Sequence, residues 1–299
     1  MNRSVISPTP VPAAGASTPS HYLLVLRANQ SWLKLDFAEL WDHRDLLKML
    51  VRRDIIARYQ QTLLGPAWFL LQPLIMASIF SMVFARAARV PTDGVPPLLF
   101  YLSSLLGWSF FSQCVSSIST TFTSNADLFG KVYFPRLIVP GATVISNLVT
   151  MGLQFLMFLG FFAYYTWLGP QPLPSAGWRW LLLPLLVIQT AAFALGAGLL
   201  FASFTQRYRD LLHALQFLVL VWMFLTPVFI PLSHFSGKLA VATYLNPMAP
   251  IIESFREVML GVGSVEPVMV AVSLVETVFV LLVGIMLFQR AARTAVDTI

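Results

Sequence analysis

The chain has 299 residues, 57% of them hydrophobic and only 11% charged, with a mean hydropathy of +0.75. Soluble domains carry roughly 25% charged residues, so this chain cannot cover its surface in water, which excludes a cytosolic enzyme, a disulfide-stapled secreted module and a disordered regulator. The net charge of +6 comes without any Lys/Arg-rich run interleaved with aromatics, so a nucleic-acid partner is set aside in favour of basic loops flanking membrane spans.

In chain order, residues 1–40 read as a disordered or loosely ordered tail, with Ser, Pro, Ala and Thr dominating the first 20. They are not expected to be a signal peptide, since no apolar core follows Arg3. Residues 41–63 form a second unit. Trp41–Gln60, WDHRDLLKMLVRRDIIARYQ, is expected to be helical, with Leu46, Leu47, Leu50, Val51 and Ile55 on one broad side. Arg44, Asp54 and Arg58 interrupt that side, and Asp54 and Arg58 stand as an acid-first i,i+4 pair. Two readings stand: a helix lying in the headgroup region, or one that also touches another protein.

Residues 64–290 hold the spans, and 291–299 form a short tail. A spanning helix needs about 20 apolar residues. Runs between the sparse charges place six, at about Leu64–Ala85, Leu98–Thr120, Leu137–Trp167, Trp180–Phe204, Leu211–Ile230 and Pro267–Phe288. The Pro/Gly-rich stretch from Leu168 to Gly177 separates spans three and four. Counting Lys and Arg outside the spans puts 14 of 19 on the side that carries both termini, so the termini are expected in the cytoplasm. The fold class expected is all-α integral membrane, with six transmembrane helices and an N-terminal amphipathic interface helix. No GxxxG pair marks a dimerisation face.

Known chemical signatures do not match. Of four lysines, Lys131 and Lys238 follow a glycine, but Val132 and Leu239 come next where a P-loop needs Ser or Thr. His21, His43, His213 and His234 lie far apart without metal-ligand spacing, and no GxSxG elbow occurs. Neither a catalytic residue nor a metal or cofactor site in this chain is expected. Cys114, the one cysteine, reads as packing. Glu276 is the clear ionisable residue inside a span; a structural and a pore-lining role both remain open, and its isolation speaks against proton coupling.

Two loops are odd for connectors. The one after span two, NADLFGKVYFPR, mixes Phe129, Tyr133 and Phe134 with Asp127, Lys131 and Arg136, and the one after span four, QRYRD, repeats the mixture. Exposed aromatics there call for a partner surface. The segment Pro227–Glu266 is apolar but broken by Pro231, Pro247 and Pro250. It reads as short re-entrant or gate helices between spans five and six, or as a plain folded loop. Glu253 and Arg256, at i,i+3, are placed to pair.

These features in this order resemble the permease subunits of the ABC-2 type, in the branch that exports O-antigen, capsule and teichoic acid. The stretches LLKMLVRRDIIARYQQTLLGPAWFLLQPL, SNADLFGKVYFPRLIVP and YLNPMAPIIESFREVML carry the resemblance, which covers the chain from about Leu46 to Arg293. It implies a homodimer in the bacterial inner membrane, docked to two copies of a separate ATPase that binds ATP and Mg, and passing a lipid-linked polysaccharide. By position it assigns Arg52, Arg53, Asp54, Arg58 and Tyr59 to the ATPase-coupling interface helix. Asn125, Asp127, Lys131, Phe134, Pro135 and Arg136 fall on the coupling loop, with Arg209 and Asp210 as a second contact. Tyr244, Asn246, Pro247, Glu253 and Arg256 fall on a periplasmic gate. The pore would be walled mainly by spans one and five, with Trp68, Phe69, Phe80, Phe84, Phe217, Trp222 and Phe224 as candidate lining, or else as packing or lipid-facing aromatics. An ABC-2 permease for a drug, lipid or small molecule, a secondary flippase, and a non-transporting scaffold are the alternatives.

Overall fold

The computed structural model describes residues 41–60, 65, 67–131, 134–169, 177–208, 210–235, 243–263 and 265–294. Among them are eight helices of more than ten residues and no strand. They are α1 (Arg44–Tyr59), α2 (Ala67–Phe80), α3 (Pro97–Ser119), α4 (Ile138–Leu168), α5 (Leu183–Thr205), α6 (Leu211–Phe224), α7 (Met248–Leu260) and α8 (Pro267–Thr294). Apolar runs of this length become helices because hydrocarbon offers no partner for backbone N–H and C=O groups. Proline marks several starts: Pro97 opens α3 and Pro267 opens α8, where the missing N–H has no intrahelical partner to lose.

Among the described residues, five helical stretches are long and apolar enough to cross a membrane: Ala67–Ala87, Pro97–Ser119, Ile138–Leu168, Gly177–Thr205 and Pro267–Arg293. The chain is therefore a multi-pass membrane protein. The first of them changes character, since α2 continues from Ser81 to Ala87 as π-helix, a wide turn often found at functional positions. The fourth opens with a 3₁₀ turn at Gly177–Leu182. The span expected over Leu211–Ile230 is α-helical only as far as Phe224. Its 14 residues reach about 21 Å, less than the roughly 30 Å of a hydrocarbon core. Pro227 accounts for the early end, because it disfavours helical geometry at Thr226 and lacks a donor.

α3 is the hub. Its spanning window is 78% buried, against 17% for the first stretch and 28% for α8, and it touches α2, α4, α5, α6 and α7. α5 lies between α3 and α8 at glycine distance. A Cβ on Gly196 would stand 2.6 Å from the Leu281 Cα, and one on Gly198 would stand 2.7 Å from the Ile118 Cβ. These two glycines serve packing within the chain, where dispersion between close backbones holds helices together in lipid. Two hydrophobic clusters result: a large one around α3, and a small one joining α1 to the start of α4.

Candidate functional site

The small cluster builds the first site from apolar residues outward. Leu50 of α1 is buried with Phe134, Ile138, Val139 and Ala142, and Leu46, Leu47, Val51, Leu128 and Phe129 pack around them. α1 and the loop after α3 are thus one packed corner, not two separate features. Short helices at Thr121–Ser124 and Ala126–Lys131 shape the loop, and the Asn125 carbonyl accepts the Leu128 and Phe129 amides at 3.1 Å each. The Pro135 carbonyl then accepts the Ile138 amide at 3.0 Å, opening α4. An aromatic series leads inward: Phe134 stacks on Phe129 at 5.8 Å, Phe129 meets Phe122 at 5.8 Å, and Phe122 stacks on Phe288 of α8 at 4.7 Å. Arg136 lies over the Phe129 ring, 5.8 Å from its centroid.

The charges of α1 are arranged around this corner. Arg53 donates to Asp54 at 2.9 Å and to the Asn125 side chain at 3.1 Å, tying helix to loop. Arg58 donates to the Asn147 side chain at 2.7 Å, and Asn147 in turn donates to the Cys114 sulfur at 3.4 Å. The expected Asp54–Arg58 pair does not form. Asp54 takes its sequence neighbour instead, because Arg58 points inward to the amide on α4. Arg52 and Asp210 are exposed. Arg209 lies outside the described residues, as do the side chains of Tyr59, Asp127 and Lys131.

The second site is a buried polar latch at α7. Arg256 and Glu253, one turn apart, form an ion pair at 2.7 Å with side chains 0% and 1% exposed. Arg256 Nη2 also donates to Ser104 Oγ of α3 at 2.8 Å and to the Pro227 carbonyl at 2.6 Å, and the guanidinium lies 3.8 Å from the Phe100 ring centroid. One cation therefore fastens α7 to α3 and to the segment following α6. Glu253 accepts the Leu232 amide at 3.4 Å. Gly263, at φ +99, passes so close that a Cβ there would meet Glu253 Oε1 at 2.6 Å.

Asn246 makes a second fastening. Its amide donates to the Leu225 carbonyl at 3.1 Å and to Thr226 Oγ1 at 3.0 Å, while its oxygen accepts from Trp222 Nε1 at 2.9 Å and from the Met248 amide at 3.1 Å. That last bond serves an orphan donor in the first turn of α7. The Pro247 carbonyl accepts from Ser273 of α8 at 2.9 Å, and Ser273 accepts from Gln189 of α5 at 3.0 Å. Tyr244 donates to Glu266 at 2.6 Å. That hydrogen bond pushes the phenol above its ordinary range, since ionising it would cost the bond and face a carboxylate.

The candidate pore aromatics divide. Trp68, Phe217 and Phe224 are exposed, whereas Trp222 meets Phe111 edge-on at 5.2 Å and Phe193 at 5.9 Å. Phe80 and Phe84 gather with Phe224 around Phe229, at centroid distances of 4.7, 4.9 and 5.0 Å. Phe69 is partly buried, and its carbonyl accepts from Gln154 of α4. Glu276 is partly exposed, with its Oε2 buried and without a hydrogen-bond partner among the described residues.

A family model described as "ABC-2 type transporter" matches residues 45–260, from the first turn of α1 to the last residue of α7. The chain belongs to the ABC-2 type transporter family. Among curated relatives, the O-antigen export system permease protein RfbA of Myxococcus xanthus is 31% identical over 224 residues, covering 74% of this chain and 82% of that protein. Two proteins of the same name from Klebsiella pneumoniae are 24% and 27% identical over 246 and 252 residues, each covering 82% of this chain and 92% of the relative.

In this family member, Asn147, Phe122, Ser104 and Phe229 join the sites without having been singled out in the sequence. Asn147 had a readable signal, an amide inside an apolar span, which hydrocarbon tolerates only with a partner. The aromatics had none, because nothing in their spacing distinguishes a contact across the bundle from a lipid-facing ring.

Proposed function

We propose that this chain is the membrane subunit of an exporter that passes a lipid-linked polysaccharide, O-antigen-like or capsule-like, across the bacterial inner membrane. α6 and the segment after it complete a sixth crossing, both termini are cytoplasmic, and two copies of the chain dock two copies of an ATPase that carries ATP and Mg. The observation that carries this reading is the α1 corner. The helix and loop to which the resemblance assigns ATPase contact share one buried cluster and one Arg53–Asn125 hydrogen bond, so a push on either moves both. The names of the relatives support the substrate class. Exposed apolar side chains on α2 and α6, among them Ile75, Ile79, Phe217 and Leu220, support a second copy meeting these faces.

In operation, ATP-driven closure of the partner dimer presses the α1 corner. The aromatic series from Phe134 to Phe288 carries that motion into α8, while α4 carries it towards α3. The latch at Arg256 then sets whether α7 stays fastened to α3 and the α6 end. Trp68, Phe217 and Phe224 are the rings best exposed to stack on the C–H faces of sugars. Phe80, Phe84 and Trp222 support them by packing.

The test is co-purification of the full-length chain with a candidate ABC ATPase, followed by export assays on candidate lipid-linked glycans. A stable complex whose ATP turnover rises with such a glycan is expected. Absence of an ATPase from the complex, or export indifferent to ATP, sinks the reading.

A further inference from the structure

The face of α1 beside its packed stripe has a property that docking does not use. Leu47, Lys48, Val51, Arg52, Ile55 and Ile56 of α1 and Ile145 of α4 line a cleft of about 420 Å³. Its floor is aliphatic. Its rim carries two cations one helical turn apart, a spacing that brings side chains side by side. Arg52 has no hydrogen bond or ion pair with any described residue, and Lys48 has only Asp45 at 3.2 Å, both carbons and charges well exposed, a contact of small worth.

The far wall decides what the cleft faces. Ile145 lies seven residues into α4, about 10 Å along the helix from its first residue. It begins a strip of exposed aliphatic side chains, Ile145, Leu148, Val149 and Leu156. Those positions share one side of α4 within a stretch long and apolar enough to span, so on the topology proposed above the strip faces the acyl chains. The cleft is therefore continuous with the acyl region at one end and basic at the other. A protein docking from the aqueous side reaches the charges but not Ile145.

We propose that this cleft seats one anionic phospholipid of the inner leaflet, its acyl chain along Ile145 and Leu148 and its phosphate between Lys48 and Arg52. A zwitterionic lipid would bring its own cation to the same rim and lose most of the attraction, whereas an anionic headgroup is drawn by both basic side chains. Arg52 thereby leaves the set of ATPase contacts and becomes a lipid contact that holds the outer edge of α1 at headgroup level. The inference rests on the topology proposed above but not on the glycan, so it stands or falls separately from the export reading.

The experiment is native mass spectrometry of the full-length chain in detergent, titrated with phosphatidylglycerol, phosphatidylcholine or a polyprenyl phosphate. One phosphatidylglycerol is expected to persist where phosphatidylcholine is stripped. The double variant K48A/R52A should weaken that binding at least tenfold with no shift in the thermal midpoint of the protein. I145W, which fills the cleft and leaves both charges, should weaken it equally, and R52K should retain most of it. Equal retention of the two phospholipids overturns the proposal. So does unchanged binding in I145W, which would mean diffuse surface attraction, and so does preference for the polyprenyl phosphate, which would make the cleft a site for transported lipid. Shielding of an R52C thiol by the ATPase alone would assign the cleft to that partner and overturn it as well.

Discussion

The two polar regions of this molecule treat charge in opposite ways. At α7, Glu253 and Arg256 are essentially solvent-free, and the guanidinium is held by Glu253, Ser104 Oγ and the Pro227 carbonyl. At α1, Arg52 and Arg53 remain exposed, and Arg53 spends only part of its fork on Asp54 and Asn125. A buried pair is held by geometry, because losing either member strands the other in an apolar interior. An exposed set leaves donors free for something that arrives. The difference separates a region whose charges are used up within the fold from a region whose charges remain exposed.

That contrast is broken most severely at Arg256. Arg256→Met leaves the Glu253 carboxylate without its cation and removes the links to Ser104 and Pro227. A loss of about 3–5 kcal/mol is expected, as for other buried pairs cut on one side. The double change Glu253→Leu with Arg256→Met should recover most of it, since well-packed apolar replacements of a buried pair are often neutral. Thermal unfolding of the purified full-length protein in detergent reads both. Equal destabilisation by the single and double variants would mean that the links to α3 and Pro227, rather than the pair itself, hold α7.

A step down in size is Leu50→Ala, which opens a void in the small cluster beneath α1. Large-to-small changes at buried positions cost about 2–5 kcal/mol, but here the cost falls on a corner separate from the α3 cluster. Hydrogen exchange should therefore quicken at least tenfold in α1 and in Ala126–Lys131 while α3 keeps its protection. Loss of protection throughout α3 would show that the corner and the bundle are one cooperative unit, and the contrast would then be one of exposure alone.

The boundaries of this architecture were largely readable from charge spacing. Spans two and three were expected at Leu98–Thr120 and Leu137–Trp167, and the helices run Pro97–Ser119 and Ile138–Leu168. Long apolar runs bounded by charge leave the backbone few options, so position follows from composition. α6 ends six residues before the expected span does, because hydropathy counts Val228, Phe229 and Ile230 as span, whereas Pro227 has already ended the helix. The Glu253–Arg256 pair was legible from its i,i+3 spacing, but its attachment to Ser104, 152 positions away in sequence, was not. Such contacts depend on how helices cross, and a single sequence carries no direct record of that. The Asp54–Arg58 expectation failed for the same reason: a local pairing rule met a tertiary partner, Asn147, that offered Arg58 a buried acceptor.

The finest test of the contrast is Arg53→Ala. The side chain is half exposed and its ion pair with Asp54 joins adjacent residues, so removing it should cost about 1 kcal/mol or less in stability, below what thermal unfolding easily resolves. Its hydrogen bond to Asn125 nevertheless joins α1 to the loop, and its side chain stays half exposed. If the exposed charges of α1 exist for a partner, this variant should fold like the parent and yet lower ATP-dependent export several-fold, with the loss deepening as ionic strength rises, because screening weakens the contacts that remain. Arg53→Lys should restore only part of the activity, since an ammonium cannot hold Asp54 and Asn125 with one planar fork. Export unchanged in Arg53→Ala would place the coupling on the buried aromatic series alone and reduce the charged face of α1 to a membrane-surface feature.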